Sequence, residues 1–164
     1  MSFQTLSIGG IAPDFCLTDQ HENLWRLSDH KGKKIILYFY PKDMTPGCTT
    51  QACDFKEQKS TFNSLNALIV GVSKDSHKSH LKFDEKYDLG FTLLSDETQE
   101  VCKTYGVWAE KRNYAKTYFG IERTTFFIDE HGVLKAIYPK VRVKGHIQQL
   151  IQALTNTEEL SASL

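Results

Sequence analysis

Cys48 is the residue of this chain whose type and position are best suited to nucleophilic chemistry. It comes shortly after an apolar run over residues 35–40, which predicts a buried strand that Pro41 ends. A helix is predicted to begin at Pro46, because Thr45 is a favoured N-cap residue and proline is favoured at the first helical position. Cys48 then lies in the first helical turn. Unpaired N–H groups and the helix dipole stabilise a thiolate there, and the thiolate is the reactive form of cysteine.

The remaining cysteines are Cys16, Cys53 and Cys102. The first residues lack the basic start and apolar centre of a secretory signal, so we expect no structural disulfide framework. Zinc sites use closely spaced ligand pairs, and the chain has no Cys-x-x-Cys. His77 and His80 are three residues apart in a very polar stretch, which we interpret as the exposed start of a helix. We therefore expect no metal site.

The elements that must position Cys48 alternate between strands and helices. Predicted strands span residues 13–17, 24–27, 35–40, 67–72, 92–94, 124–128 and 133–138, and predicted helices span residues 46–65, 76–87 (capped by Ser76), 97–105 and 144–154. This order predicts an α/β thioredoxin-like fold with a mostly parallel central sheet flanked by helices. The additions to that fold are an N-terminal β-hairpin and an inserted segment over residues 92–120. We expect one domain over residues 1–164, with a core over about 5–154 and a polar tail, 155–164, that frays.

Composition excludes several classes of function. The chain has 164 residues, with 20 Lys and Arg against 20 Asp and Glu, so its formal net charge is zero. Without a basic excess we expect no binding to nucleic acid or to an anionic membrane surface. No apolar run is long enough to span a bilayer, and we expect a cytoplasmic protein.

The residues around Cys48 also carry a family resemblance. The segment 38–49 reads Tyr-Phe-Tyr-Pro-Lys-Asp-Met-Thr-Pro-Gly-Cys-Thr, and Gln-Ala-Cys follows at 51–53. With the segments 105–111 and 120–129, it resembles the active-site motif of peroxiredoxins, and more narrowly the bacterioferritin comigratory protein, or PrxQ-type, branch of the AhpC/TSA family. The resemblance runs from about residue 13 to residue 154. One departure is Gln51, where many relatives carry glutamate.

The resemblance implies a role for each residue of the motif. Cys48 is the peroxidatic nucleophile, which attacks hydrogen peroxide or an alkyl hydroperoxide and becomes a sulfenic acid. Thr45 accepts a hydrogen bond from the peroxide, and Arg123 keeps Cys48 ionised and stabilises the developing charge. Pro41 shapes the pocket and shields the sulfur from water. The implied enzyme needs no cofactor, acts as a monomer and uses thioredoxin as reductant.

Cys53 is the predicted resolving thiol, because it lies five residues after Cys48. On an intact helix two such residues have Cα atoms about 8–9 Å apart, whereas a disulfide tolerates at most about 7 Å. A disulfide between them therefore requires local unwinding of the helix, which costs little at a helix end. The resemblance agrees, because members with this spacing use the second thiol in this way. Cys102 is the alternative resolving thiol, although we interpret it, like Cys16, as a packing residue.

Other functions fit part of the pattern. A disulfide oxidoreductase on the same fold is disfavoured, because Cys-x-x-Cys is missing and disulfide exchange needs neither Thr45 nor Arg123. A glutathione peroxidase is disfavoured, because its Trp and Gln signature does not accompany Cys48. A non-enzymatic redox sensor or chaperone-like binding protein stays open, and it is recognised by oxidation without thioredoxin-dependent turnover.

Overall fold

A computed structural model describes residues 6–162 of the chain. The strands are β1 (Cys16–Asp19), β2 (Leu24–Arg26), β3 (Lys34–Phe39), β4 (Ala67–Ser73), β5 (Thr92–Ser95), β6 (Trp108–Asn113), β7 (Lys116–Ile121), β8 (Thr124–Ile128) and β9 (Leu134–Tyr138). The α-helices are α1 (Pro46–Glu57), α2 (Lys59–Ser64), α3 (His77–Tyr87), α4 (Glu100–Thr104) and α5 (His146–Ala162), and a short 3₁₀ turn spans Leu27–His30. The predicted first core residue, 5, and the last two residues of the predicted tail lie outside this part. No helix of the described residues is long and apolar enough to cross a bilayer.

The central sheet of residues 6–162 has seven strands in the order β2-β1-β5-β4-β3-β8-β9. β3 pairs in parallel with β4, and β4 with β5, as alternating strands and helices predict. The hairpins β1–β2 and β8–β9 extend the sheet with antiparallel pairs on both sides. This order agrees with the predicted thioredoxin-like fold. The sheet is mixed rather than mostly parallel, because both hairpins add antiparallel strands to a short parallel centre.

β3 is the central strand that leads to Cys48, and all its residues are buried. Ile35, Leu37 and Phe39 pack into one hydrophobic cluster, and Ile36 and Tyr38 pack into another. Successive side chains of a strand point to opposite faces, so the sheet separates two cores. We call them the α1-side core, which contains Ile36, Tyr38 and the buried face of α1, and the opposite core, which contains Leu37 and Phe39.

The predicted helix over residues 46–65 is two helices, α1 and α2. At Gln58 the N–H bonds to the carbonyl of Phe55, three residues back, which tightens the turn and ends α1. Phe55 and Phe62 are both fully buried in the α1-side core, with ring centroids 5.7 Å apart. Both helices therefore cover the same face of the sheet.

The inserted segment contains a feature that the sequence did not reveal, the separate two-stranded sheet β6–β7. Its turn is Tyr114–Ala115, and both residues have positive φ, 49° and 64°. Such a turn ordinarily carries Asn-Gly or Asp-Gly, which are the hairpin signals in a sequence. Tyr-Ala gives no such signal, so this hairpin was missed.

The bounds of the last two helices also differ from the predicted ones. α4 spans only Glu100–Thr104, because Gln99 before it has a left-handed φ of 61° and cannot be helical. α5 continues to Ala162, beyond the predicted helix end at residue 154. The hydroxyls of Thr155 and Thr157 donate to the backbone carbonyls of Ile151 and Ala153, four residues back in the helix. No glycine or proline interrupts the segment.

Candidate active site

α1 begins at Pro46 and carries Cys48 in its first turn, as the sequence predicts. The Cys48 side chain is 2% exposed and belongs to the α1-side core. Its N–H is among the first four of the helix, which have no partner within the helix. The structure therefore places a buried sulfur at the positive end of a helix dipole.

Arg123 lies between β7 and β8 and reaches Cys48 across 75 positions of sequence. Its Nη2 donates to the Cys48 Sγ at 3.4 Å, and its Nη1 donates to the Gln51 Oε1 at 2.6 Å. One guanidinium thus bonds to the sulfur and to a buried acceptor one helical turn further on. The structure brings together these two residues, which the sequence could relate only through the family motif.

Gly47 makes room for that guanidinium. A Cβ at this position lies 3.2 Å from the Arg123 Nη2, which is closer than an ordinary van der Waals contact. Gly47 is not among the glycines with positive φ, so glycine is favoured here by the close approach of Arg123 and not by backbone conformation.

Thr45 occupies the N-cap position of α1, but its hydroxyl does not cap the helix. The hydroxyl instead donates to the backbone oxygen of Lys42 at 2.8 Å. The predicted side-chain cap is therefore wrong. With its hydrogen bound to Lys42, the oxygen of Thr45 has lone pairs for another donor. Pro41 is half-buried directly after Tyr40, at the point where the chain leaves β3.

Cys53 lies on the same helix as Cys48 and is half-buried. Both are free thiols, and α1 is continuous between them. Regular helix geometry therefore keeps their Cα atoms about 8–9 Å apart, which is too far for a disulfide. Burial raises the pKa of the Cys53 thiol, with Asp54 and Glu57 adding to the effect and Lys56 opposing it.

Cys102 lies on α4 in the opposite core, separated from Cys48 by the sheet. It is completely buried, which fits its interpretation as a packing residue. Its pKa is raised well above the ordinary value by burial and by the neighbouring Asp96. Cys16 is half-buried in β1.

A buried network next to Cys48 was not found in the sequence. Asp43, in the segment before α1, accepts hydrogen bonds from the Tyr40 hydroxyl at 2.6 Å and the Ser79 hydroxyl at 2.8 Å. The Nδ1 of His80 lies 2.7 Å from the same carboxylate. The interpretation of His77 and His80 as an exposed pair is wrong for His80, which has no exposed surface. Its spacing of three from the buried Phe83 was the available signal.

The acidic groups of this network also bear on the expectation of no metal. The carboxylates of Asp43 and Asp75 and the ring of His80 lie within 4.8 Å of one another. However, the Asp75 carboxylate accepts from the Ser73 hydroxyl at 2.6 Å and from the Asp43 N–H at 2.9 Å. These acidic groups therefore serve as hydrogen-bond acceptors that hold the segment before α1 in place.

His146 supports the strand that begins just after Arg123. Its Nε2 lies 2.9 Å from the Thr125 hydroxyl, and its Nδ1 lies 3.2 Å from the Gln149 Oε1. Burial lowers the pKa of His146; the bond to Gln149 opposes this effect and the charge of Arg123 adds to it. The imidazole is thus favoured in its neutral form beside a permanent cation.

The arrangement defines a class of protein. A thioredoxin-like α/β fold places a buried cysteine at a helix N-terminus, and a distant strand junction supplies a guanidinium to its sulfur. A thiolate with an adjacent cationic hydrogen-bond donor can attack an electrophile whose leaving group carries negative charge. This combination of fold and site is that of the peroxiredoxins.

Comparisons with known proteins narrow the class to a family. The AhpC/TSA family matches residues 8–137. Peroxiredoxin Bcp of Bacillus subtilis is 49% identical over 155 residues, covering 94% of this chain and 99% of that protein. Peroxiredoxin Bcp of Escherichia coli K12 is 41% identical over 141 residues, covering 86% and 90%. The chain therefore belongs to the AhpC/TSA family, as a peroxiredoxin of the Bcp/PrxQ type.

Solved structures agree with this assignment. A cysteine-to-serine mutant of PrxQ from Xylella fastidiosa superposes with a TM-score of 0.90 at 33% identity, covering 94% of this chain and 99% of that chain. The bacterioferritin comigratory protein of Xanthomonas campestris, whose structures concern its alkyl peroxide reduction activity, gives a TM-score of 0.83 at 38% identity, with 87% and 91% covered. The predicted family and thioredoxin-like fold are both confirmed.

Proposed function

We propose that this peroxiredoxin is a thiol peroxidase that reduces hydrogen peroxide and alkyl hydroperoxides to water and alcohols, in antioxidant defence. The observation that carries the proposal is the 3.4 Å contact between the Arg123 guanidinium and the Cys48 sulfur at the start of α1. The alkyl peroxide reduction activity of the Xanthomonas campestris relative supports alkyl hydroperoxides as substrates.

Cys48 performs the first step. Its thiolate attacks the terminal oxygen of the peroxide, so an S–O bond forms while the O–O bond breaks. The sulfur is oxidised to a sulfenic acid, and the leaving oxygen takes a proton from water to become water or an alcohol. Thiol chemistry alone accounts for this reaction, so no cofactor is required.

Three neighbours prepare that step. Arg123 stabilises the thiolate and the charge that develops on the departing oxygen, because its Nη2 already lies against the sulfur. The Thr45 oxygen accepts a hydrogen bond from the peroxide O–H, because its own hydrogen is donated to the Lys42 carbonyl. Pro41 forms the wall that limits access of water. Holding the peroxide in line with the sulfur converts a slow bimolecular reaction into an oriented one.

Cys53 performs the second step. Its thiolate attacks the sulfenic sulfur of Cys48, an S–S bond forms while the S–O bond breaks, and the hydroxide that leaves takes up the proton released by the Cys53 thiol to become water. α1 must unwind locally first, because an intact helix holds the two Cα atoms too far apart. Unwinding also releases Cys53 from the burial that raises the pKa of its thiol. Thioredoxin then reduces the exposed disulfide. Because both cysteines belong to one chain, this is an atypical two-cysteine enzyme. A cytoplasmic location and a monomeric state remain predictions.

The test is peroxide-dependent NADPH oxidation coupled to thioredoxin and thioredoxin reductase. We expect Cys48→Ser to abolish turnover and Cys53→Ser to stop after one oxidation per chain. Cys16→Ser and Cys102→Ser are matched controls that should retain turnover, since Cys16 lies in β1 and Cys102 lies in the opposite core, away from α1.

Each alternative has its own outcome. Full turnover by Cys53→Ser, lost when Cys102 is also replaced, assigns resolution to Cys102. A single oxidation of the unmodified chain, with no turnover by thioredoxin, favours a redox sensor. An unmodified chain whose Cys48 does not react with peroxide contradicts the proposed function altogether.

A further inference from the structure

We propose that the buried pair Asp43–His80 positions the peroxidatic site: it holds the segment before α1 in the conformation that reacts with peroxide, and its release accompanies resolution. This inference rests on the proposed function of Cys48. Neither residue touches the sulfur, so both are positioning residues that act through the segment 41–45 and the start of α1.

Asp43 is tied to three parts of the fold at once. Its carboxylate accepts from Tyr40 at the end of β3 and from Ser79 on α3. His80, also on α3, lies 2.7 Å from the same carboxylate. The N–H of Asp43 donates to Asp75, after β4, at 2.9 Å. The segment that carries Thr45 and leads into α1 is therefore anchored to two central strands and a helix through a single residue.

Asp43 and His80 form a direct hydrogen bond in the protein interior. The Nε2 of His80 lies 3.0 Å from the carbonyl oxygen of Leu94, which can only accept, so Nε2 carries a hydrogen. A single further proton then lies between Nδ1 and Asp43, on whichever atom holds it. Both side chains are at most 1% exposed. Loss of His80 leaves the buried Asp43 carboxylate with only the Tyr40 and Ser79 hydroxyls as side-chain donors, and loss of Asp43 removes the 2.7 Å partner of the His80 Nδ1, so each loss should weaken the anchor.

The neighbouring Met44 shows what the anchor holds in place. Met44 has a φ of 67°, in the left-handed region that is unfavourable for residues other than glycine, and it is 40% exposed. Strained residues of this kind persist where the surrounding structure over-determines them. Met44 lies between the anchored Asp43 and Thr45, whose hydroxyl returns to Lys42. The anchor thus stabilises the turn that presents the Thr45 oxygen ahead of Cys48.

The same anchor opposes the second step of the reaction. Formation of the Cys48–Cys53 disulfide requires the start of α1 to unwind, and the segment held by Asp43 leads directly into that turn. A weaker anchor should therefore slow the attack on peroxide, which needs the folded site, without slowing disulfide formation. General loss of stability does not predict this divergence.

The experiment measures the two steps separately in single-turnover reactions with hydrogen peroxide. Oxidation of Cys48 is followed by sulfenic acid trapping and intact mass in the Cys53→Ser background, and disulfide formation is followed in chains that retain Cys53. The variants are Asp43→Asn, His80→Asn and the double variant. His77→Asn is the matched control, because His77 lies on the same helix and pairs with the exposed Glu22 at 3.2 Å, outside the network of Asp43.

We expect Asp43→Asn and His80→Asn each to lower the rate constant of Cys48 oxidation at least tenfold, while disulfide formation is unchanged or faster. The double variant should fall no further than twofold below the slower single variant, because the pair acts as a unit. His77→Asn should match the unmodified chain. A smaller fall in oxidation, or equal slowing of both steps, overturns the proposal.

Ser79→Ala keeps the proposal testable if the two main variants do not fold. It removes one donor to Asp43 and leaves the pair with His80 intact. Oxidation should again slow, by a few-fold, without slower disulfide formation, and an unchanged oxidation rate in this variant contradicts the proposal. Failure of the proposed function is distinguishable, because the unmodified chain itself then forms no sulfenic acid at Cys48.

Discussion

Replacement of Gln51 tests whether Arg123 acts only because it is held in place. Gln51 is fully buried, and its Oε1 accepts from the Arg123 Nη1 at 2.6 Å, while the Nη2 of the same group meets the Cys48 sulfur. Gln51→Ala removes that acceptor and leaves the cationic charge. The guanidinium then loses the contact that fixes its plane against the sulfur.

The size of the effect follows from the bond that is lost. A hydrogen bond with one charged partner contributes about 1.5–3 kcal/mol. If half of the upper value, about 1.5 kcal/mol, orients Arg123 in the transition state, the barrier rises by that amount, which is about tenfold in rate. We expect Gln51→Ala to lower the second-order rate constant for Cys48 oxidation by about this factor.

Stopped-flow measurement of Cys48 oxidation by hydrogen peroxide, under single-turnover conditions at neutral pH, checks this value. Gln51→Glu is the matched control, because it retains an acceptor for Arg123 and should stay within about threefold of the unmodified chain. Thermal unfolding of both variants separates positioning from stability. Oxidation of a folded Gln51→Ala protein at the unmodified rate would refute the positioning of Arg123 by Gln51.

Other predictions concern single contacts near the site. Gly47→Ala should slow Cys48 oxidation several-fold in stopped-flow measurements, because the added Cβ lies 3.2 Å from the Arg123 Nη2. The free energy of unfolding in urea should not fall, since alanine is the better helix former. Tyr38→Phe should raise the free energy of unfolding by about 1 kcal/mol in urea titrations, because within residues 6–162 the buried Tyr38 hydroxyl has no hydrogen-bond partner; a large loss of stability contradicts this. Because burial lowers the pKa of His146 in the folded state, its contribution to stability is complete above about pH 6.5 and is lost as the pH falls from there towards the lower folded pKa. Unfolding free energies at pH 7.5 and 5 should therefore differ less in His146→Gln than in the unmodified chain, and an equal difference is the contrary result.

Local features were readable because local sequence decides them. The continuous apolar run before Pro41 predicted a strand covered on both faces, and β3 has a buried side chain at every position. Pro46 is the first residue of α1, because proline is pre-organised for the first helical position. Ser76 caps α3 through its hydroxyl, as predicted. In each case the neighbours along the chain supply the physical cause.

Two features of the fold were not readable from local sequence pattern. The turn of β6–β7 places Tyr114 and Ala115 at positive φ without a residue that favours it, so pairing of the strands imposes the turn and the sequence gives no warning. His80 lies in a polar stretch, and only the return of the chain to Asp43 and Leu94 makes it a fully buried group. His80 depends on partners 37 and 14 positions away in sequence, whereas the β6–β7 turn depends on the pairing of the two strands beside it.

The site around Cys48 also combines features that local sequence determines with features that depend on tertiary structure. The sequence by itself determined that a cysteine opens a helix after a buried strand, and that a second cysteine lies five residues on, because helix starts and strand ends follow from adjacent residues. Only the tertiary structure decided what surrounds the sulfur. Arg123 reaches it from the junction of β7 and β8, the sheet separates it from Cys102, and Asp43 anchors the segment before it to α3. These contacts depend on how strands pair and helices pack, and no short stretch of the chain contains that information.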